Sequence, residues 1–229
     1  MEGIKLMGEF FSEVMDYMPL LIDGTKMTIL VFVFTLLFSL PLGLPIALGE
    51  ECRFKPLAWI CKAYVWVFRG TPLMLQLCFF YFALPMFVPS LRLDVIETGI
   101  VTFILNYAAY FAEIYRGGLK SIDKGQYEAS FALGLSKKQT LFDIVLPQTM
   151  KAILPPVINE AITLIKDTAL IMTIGGAELM KNAYAVVSRT SQVSSLIVAG
   201  VIYLILTLLL TLVAGRLEKH FARYDQKGE

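Results

Sequence analysis

Two long stretches of the sequence contain no charged residue, and they constrain the fold more than any other feature. They cover residues 27–49 and 190–215, and a helix needs roughly 20 apolar residues to cross a bilayer. Three further apolar stretches, interrupted by a few polar or charged residues, cover residues 57–84, 95–112 and about 149–174. Because unpaired backbone groups are costly in hydrocarbon, such stretches cross a membrane as helices. The sequence therefore predicts an all-α integral membrane protein with five transmembrane helices.

The composition agrees with this class and excludes several functions. Of the 229 residues, 57% are hydrophobic and 17% are charged, whereas soluble domains carry about 25% charged residues. A net charge of +1 without a long basic run argues against a nucleic-acid surface. Three cysteines without a Cys-x-x-Cys pair and a single histidine, His220, predict neither a metal site nor a disulfide framework. No G-x-x-x-x-G-K-[ST] sequence occurs, so we expect no bound cofactor in this chain.

The first 25 residues have a different pattern. They lack the basic segment, apolar run and cleavage site of a signal peptide. Apolar residues recur there at steps of three and four, which predicts a short amphipathic helix on the membrane surface: Ile4, Met7, Phe10, Phe11, Val14 and Met18. We therefore divide the chain into an N-terminal amphipathic segment (1–25), a transmembrane domain (26–217) and a cytoplasmic tail (218–229).

The positions of lysine and arginine predict the orientation, because positively charged loops stay on the cytoplasmic side. Five spans place the termini on opposite sides. With the N-terminus outside, most of the 20 Lys and Arg residues lie on the inner side, and Arg69 and Lys166 lie within spans. The outer side then holds Lys5, Lys26, Arg92, Lys181 and Arg189. We expect the N-terminus outside, and the polar stretch 125–148, between spans three and four, in the cytoplasm.

This polar stretch is patterned as helix, turn, helix. Helix formers at its start are followed by Gly134, where a left-handed C-cap would end the first helix. Ser136 and Gln139 have the spacing of a capping box, which predicts the start of a second helix. Its apolar face before Pro147 is formed by Leu141, Phe142, Val145 and Leu146. On this pattern alone, the stretch is either a solvated amphipathic hairpin or a surface that meets a partner.

The spacing of the stretch is more specific than its periodicity. It reads E-A-x4-G-x9-I-x-L-P and resembles the EAA loop of the permease subunits of bacterial ABC importers. Three other segments, "FRGTPLMLQL", "YFAEIYRGGLKSIDKGQ" and "LIKDTAL", are similar to segments of permeases for polar amino acids, of the histidine, arginine, glutamine and cystine type. Ser130 stands where that family usually has a second alanine. The motif residues are Glu128, Ala129, Ser130, Gly134, Ile144, Leu146 and Pro147.

The resemblance implies a type I ABC importer transmembrane domain that works with other chains. In that family the loop forms a short helix, which docks into a groove of the ATP-binding subunit and passes its motion to the membrane helices. It implies two copies of an ATPase subunit, which carry ATP and Mg²⁺, a second permease subunit, identical or paralogous, and an extracytoplasmic amino-acid-binding protein. This chain would be a transport subunit, and not an enzyme, in the bacterial plasma (inner) membrane.

Polar residues inside the predicted spans are candidates for a substrate site, because such residues usually face a bundle interior or a water-filled cavity. Glu160 and Asp167 share one helical face of the fourth span. At 1.5 Å per residue, Glu160 lies roughly 20 Å beyond Pro147, near the middle of the bilayer. The candidate set is Asn159, Glu160, Thr163, Lys166, Asp167, Arg69, Gln76 and Asn106.

Several of these residues have a simpler interpretation. Lys166 and Asp167 would compensate each other at the outer edge of the span, and Asn106 would make an interhelical hydrogen bond. Prolines at positions 155 and 156 predict a break in the fourth span, and Thr71–Pro72 predicts one in the second. The break in the fourth span would either bind substrate through freed carbonyl groups or mark a bend. The break in the second span would be either a structural kink or a gate.

An acidic side chain at position 160 favours a substrate with a cationic side chain or an amino group. We therefore expect a permease for a polar or basic amino acid, with arginine, lysine or histidine favoured over cystine or glutamine. The alternative is an ion-coupled secondary transporter or channel, in which Glu160, Lys166 and Asp167 would relay protons or ions.

Overall fold

The computed structural model of the protein describes residues 2–222 and the side chains of residues 8, 10 and 12–219. These residues form helices and no β-strand, which confirms the predicted all-α class. The side chains of Ile4, Met7, Phe11 and His220, and the tail beyond residue 222, lie outside the described part.

Ten α-helices in the described residues are joined by short π- and 3₁₀-helical segments. The α-helices are α1 (Glu2–Glu50), α2 (Lys55–Gly70), α3 (Leu73–Cys78), α4 (Leu84–Phe87), α5 (Val95–Lys120), α6 (Lys124–Ala132), α7 (Lys137–Gln139), α8 (Leu146–Asp167), α9 (Leu179–Thr190) and α10 (Ser194–Ala222). The π-helices are Phe79–Ala83 and Thr140–Val145, and the 3₁₀-helices are Pro89–Leu91 and Thr168–Ile174.

Four helical segments are long and apolar enough to cross a membrane: Ser12–Glu50, Val95–Lys120, Lys137–Ile174 and Ser194–Lys219. A fifth span results if α2 and the helical stretch Leu73–Phe87 count as one bent span. Each of the five predicted apolar stretches overlaps one of these segments. By length and composition, the described residues therefore carry four candidate spans, or five with the bent pair.

The chain forms two compact units, each built from three separate segments. The first unit consists of Met1–Leu36, Thr71–Ile104 and Thr163–Leu209. The second unit consists of Leu37–Gly70, Leu105–Ile162 and Leu210–Glu229.

The N-terminal part of α1 packs against other helices of the first unit. Val14 is buried, and Met18 packs on the same cluster of α1, α9 and α10 side chains. A Cβ atom at Gly24 would lie 2.8 Å from the Cα of Leu179, so the absent side chain permits the close approach of α1 and α9. The helix runs through residue 25 without a break, so the predicted short helix is the start of a long one. Among the described side chains of the predicted apolar face, Val14 is buried and Phe10 is 39% exposed. The domain division at residue 25 stays a prediction.

In the second unit, α1, α2 and α5 meet through small residues. Ala47, Ala109 and Ala112 are buried together with Val65, and a Cβ atom at Gly43 would lie 2.9 Å from the Cβ of Phe111. Small residues let membrane helices approach closely, which increases van der Waals contact where no hydrophobic force drives association.

The two predicted helix breaks have different outcomes. The second span is interrupted as expected, since α2 ends at Gly70 and α3 begins at Leu73. The predicted break at Pro155 and Pro156 is wrong, because both prolines lie inside α8. Proline removes one backbone N–H from a helix, but its φ is fixed near the helical value. A membrane helix can therefore continue through proline where neighbouring structure satisfies the freed backbone groups.

A buried carboxylate at the start of α9, which the sequence analysis missed, ties this helix to α10 within the first unit. Glu178 is fully buried, and its two carboxylate oxygens accept hydrogen bonds from the N–H groups of Lys181 (2.7 Å) and Met180 (2.8 Å). The Tyr203 hydroxyl on α10 donates to the same carboxylate at 2.9 Å. Burial raises the pKa of Glu178, and the backbone N–H groups partly oppose this rise.

The raised pKa predicts a pH dependence of stability. Because the folded state binds the Glu178 proton more tightly than the unfolded chain, the contribution of this residue to stability falls as pH rises above the ordinary carboxyl pKa of about 4.3. We expect Glu178→Gln to lower the melting temperature at about pH 5, since the amide accepts fewer N–H bonds. We also expect a smaller loss of stability between about pH 5 and about pH 8 than in the unmodified protein.

Thermal unfolding in detergent at several pH values measures both effects. Glu218→Gln, which changes an exposed carboxylate, is the matched control and should leave the pH profile unchanged. Parallel profiles for Glu178→Gln and the unmodified protein would contradict the role assigned to burial.

Candidate functional site

The first helix of the polar stretch ends at a left-handed turn. Gly134 has a φ of +77°, as predicted, and this conformation is costly for residues with a Cβ. The N–H of Leu135 donates to the Ser130 carbonyl, and the N–H of Gly134 donates to the Phe131 carbonyl, both at 3.0 Å. These two bonds form a Schellman motif, which satisfies the last carbonyls of α6 and confirms the predicted C-cap.

The second helix begins at the predicted capping box. The Ser136 hydroxyl accepts from the Gln139 N–H at 3.3 Å, and the Gln139 side chain accepts from the Ser136 N–H at 3.0 Å. The helix continues past Pro147, and the chain stays helical from Lys137 to Ile174. The π-helix Thr140–Val145 precedes Pro147, and the N–H of Leu146 at its end donates to the Leu141 carbonyl, five residues back. This local change of hydrogen-bond pattern accommodates the missing N–H of Pro147.

Polar contacts hold α6 against the start of α8 within the second unit. The Gln148 side chain donates to the Gln126 side chain at 3.2 Å and to the Ile144 carbonyl at 3.0 Å. Ser130 is buried, and its hydroxyl donates to the Gln126 carbonyl at 2.6 Å. At position 118 of α5, a Cβ atom would lie 2.1 Å from the Ile153 side chain, so α5 and α8 also approach closely.

Other motif residues remain accessible. Glu128, Ala129 and Pro147 are exposed, and Ile144 and Leu146 are half-buried.

Large apolar side chains project beside the motif. We call these four the loop surface: Phe131 (51% exposed), Leu133 (80%), Leu141 (40%) and Phe142 (55%). Exposed apolar groups clustered on an otherwise polar segment indicate a contact with a partner. Phe131 and Leu133 are not among the site residues predicted from the sequence. Their position beside the C-cap glycine, where a solvated helix would be polar, is a signal that could have identified them.

An ionic cluster, also missed, joins the ends of α1 and α2 to α5 within the second unit. Arg116 lies between Glu113, with which it forms a short hydrogen bond, and Glu50, at 3.5 Å. Glu51 lies 3.9 Å from Arg116 and 2.6 Å from Lys120. The hydrogen bond from Lys120 lowers the pKa of Glu51. With Arg69, which also contacts Glu113, three cations face the three carboxylates, so the cluster is balanced in charge.

Arg69, a candidate substrate ligand, belongs to this ionic cluster. Its guanidinium lies 3.6 Å from the Glu113 carboxylate and 5.3 Å from the centre of the Tyr110 ring. The sequence signals for the cluster were the i,i+3 pair Glu113 and Arg116 and the paired acids at the end of α1. In the described residues, no group of three or more His, Cys, Asp or Glu is arranged to hold a metal ion.

Two further candidate substrate ligands, Asn106 and Gln76, donate hydrogen bonds to other residues of the chain. Asn106 is buried, and its side chain donates to the Phe68 carbonyl at 3.0 Å, beside Arg69 at the end of α2. In the first unit, Gln76 is buried, and its side chain donates to the Thr71 hydroxyl at 2.8 Å across the helix break.

The remaining candidates lie on α8. In the second unit Asn159 is exposed and Glu160 is half-buried. In the first unit Thr163 and Lys166 are exposed and Asp167 is half-buried. The structure thus places all five on one helix, with Glu160 and Asp167 the more buried.

Comparison with known proteins identifies the family. A family model for the inner membrane component of binding-protein-dependent transport systems matches residues 39–223. The arginine transport system permease protein ArtQ of Bacillus subtilis is 38% identical over 216 residues, which are 94% of this chain and 98% of that protein. The glutamine transport system permease protein GlnP of Escherichia coli K12 is 38% identical, over 91% of this chain and 96% of that protein.

A solved structure shows the same fold. The crystal structure of an amino acid ABC transporter with histidines superposes with a TM-score of 0.85 at 32% identity, and the match covers 92% of this chain and 98% of that one. Sequence and fold agree over nearly the whole length. The chain belongs to the family of inner membrane components of binding-protein-dependent transport systems, and it is a membrane transport subunit rather than an enzyme.

Proposed function

We propose that this chain is the permease subunit of an ABC importer for a polar or basic amino acid, and that a separate ATPase drives it through residues 124–148. The observation that carries the proposal is the combination of the E-A-x4-G spacing with a capped helix that exposes apolar side chains. The amino-acid transport named for ArtQ and GlnP supports the substrate class. The family and the fold lend no support to the alternative of an ion-coupled carrier or channel.

The caps make the loop stiff, which a force-transmitting contact requires. The Schellman motif at Gly134, the capping box at Ser136 and the bond between Gln148 and Gln126 leave α6 few alternative orientations relative to the start of α8. A partner that displaces α6 would therefore displace α8 with it.

The loop surface would supply the affinity for the partner. Full burial of a leucine or phenylalanine side chain contributes about 1.5–3 kcal/mol, and Leu133 is the most exposed of the four. We assign the groove of the ATPase as the occupant, and Glu128, Ala129, Ile144, Leu146 and Pro147 as neighbouring contact or positioning residues.

Movement of the loop would reach the membrane along one helical segment. Residues Lys137–Ile174 are helical throughout, so no flexible linker separates the loop from Glu160 and Asp167. The ionic cluster would hold the ends of α1, α2 and α5 as one body while α8 moves. The N-terminus outside, five spans, two ATPase copies, a second permease and an external amino-acid-binding protein complete the proposal.

The substrate site is proposed on α8. Asn106, Gln76 and Arg69 bind protein groups at or beside the ends of α2 and α3, and we assign them positioning roles. Glu160 is the residue proposed to pair with a cationic substrate group, with Asn159, Thr163, Lys166 and Asp167 along the same helix. Arginine, lysine and histidine are the favoured substrates, ahead of cystine and glutamine.

The loop surface makes a testable prediction. Leu133→Ala should weaken binding of the ATPase by about tenfold, because it removes most of an apolar side chain that the groove would bury. Titration of the purified permease with its ATPase measures the affinity directly. Leu204→Ala, which truncates a leucine of α10 that is 69% exposed, is the matched control and should leave the affinity unchanged. Equal affinities for the two variants would count against the loop as the docking element.

A second prediction concerns Glu160. Glu160→Gln should raise the KM for import of arginine and lysine by about tenfold, since a charge-assisted hydrogen bond becomes a neutral one. The KM for glutamine should change less. Uptake into vesicles, with the binding protein in excess and Glu97→Gln as control, measures these constants. Unchanged affinity for arginine, lysine, histidine and cystine would remove Glu160 from the substrate site.

A further inference from the structure

A cavity of about 360 Å³ lies in the first unit, beside the helices that precede α5. None of the candidate substrate ligands or motif residues lines it. Its walls are Tyr81, Phe82, Pro85, Met86, Arg92 and Leu93. We call it the Arg92 cavity.

Apolar side chains form much of the walls of the Arg92 cavity, and the largest of them are accessible. Phe82 is 55% exposed and Met86 is 80% exposed, although both are large hydrophobic side chains. The rings of Tyr81 and Phe82 pack edge to face, with their centres 4.9 Å apart, at the π-helical turn. Described residues of the chain leave this surface open, so hydrocarbon from the bilayer can cover it.

Arg92 is the one cation among the residues that line the cavity. It follows the 3₁₀-helix and has an extended backbone. No carboxylate lies within 4.0 Å of its guanidinium among the described residues. The neighbouring acids instead form hydrogen bonds at the start of α5. Asp94 accepts from the Glu97 N–H at 2.8 Å, and Glu97 accepts from the Asp94 N–H at 3.3 Å.

The position of the cavity explains why a cation and an open apolar wall lie side by side. Arg92 lies in the connection between the bent span, which ends at Phe87, and the span that begins at Val95. Such a connection meets the membrane at the level of the lipid headgroups, whichever side it faces, and aromatic side chains are frequent there. A cation at headgroup depth above an open apolar wall matches the two ends of a phospholipid.

We propose that the Arg92 cavity binds an anionic phospholipid of the surrounding membrane. The guanidinium binds the phosphate, which suits the planar, two-pronged geometry of arginine, and one acyl chain lies along Phe82 and Met86. This site depends on the chain crossing a membrane, and not on the transported substrate or on the ATPase.

The test is lipid binding to the full-length chain in detergent micelles, followed by native mass spectrometry. With phosphatidylglycerol as the probe, we expect saturable binding to the unmodified protein and about tenfold weaker binding to Arg92→Gln. Arg189→Gln removes an exposed arginine that does not line the cavity, and this variant should bind as the unmodified protein does. Equal binding of phosphatidylglycerol to Arg92→Gln and Arg189→Gln would overturn the proposal.

Two further measurements separate the lipid from other occupants. Soluble glycerol phosphate should not displace phosphatidylglycerol, because it lacks acyl chains; displacement would show a site for phosphate alone. Phosphatidylcholine, which has no net charge, should bind the unmodified protein more weakly, and equal binding of the two lipids would refute recognition of an anion. If Arg92→Gln instead splits a complex of two permeases with no loss of lipid, the cavity is an interface between copies and the lipid assignment is wrong.

Discussion

The left-handed turn at Gly134 is the constraint on which the coupling account depends. Its φ of +77° reverses the chain after α6, and the Schellman bonds lock that reversal. The reversal brings α6 back against the start of α8, where Gln126 and Gln148 meet. A short helix that would be only marginally stable alone thereby becomes a stiff projection from a membrane-spanning helix.

Local features of the loop could be predicted from the sequence because their causes lie within a few residues. A glycine at a C-cap and a serine three positions before a glutamine form the same bonds in almost any surroundings, and both are present. The candidate membrane spans could be predicted equally well from the apolar stretches, because the thickness of the bilayer sets their length. Proline was less informative. Pro72 lies in the break between α2 and α3, whereas α8 continues through Pro155 and Pro156, and the surrounding packing decides between these outcomes.

Contacts between distant parts of the chain could not be predicted from local pattern. Glu50 and Arg116 are far apart in sequence, as are Gly24 and Leu179, and each pair meets only after helices have packed. The same packing assigns Arg69 and Asn106 to protein groups, although either would have suited a substrate as well on sequence alone. Polar residues in membrane spans therefore identify candidates for a structural or a substrate-binding role. The fold determines which of them hold helices together.

Uptake by reconstituted vesicles tests the central claim most directly, which is that a separate ATPase moves this subunit through the loop around Gly134. Vesicles are prepared with the purified permease alone, with permease and ATPase, and with the Gly134→Val permease and ATPase, and arginine uptake is measured with the binding protein present. The account predicts uptake only for the unmodified permease with its ATPase and ATP. Uptake driven by an ion gradient in the permease alone, or full ATP-driven uptake by Gly134→Val, would contradict it.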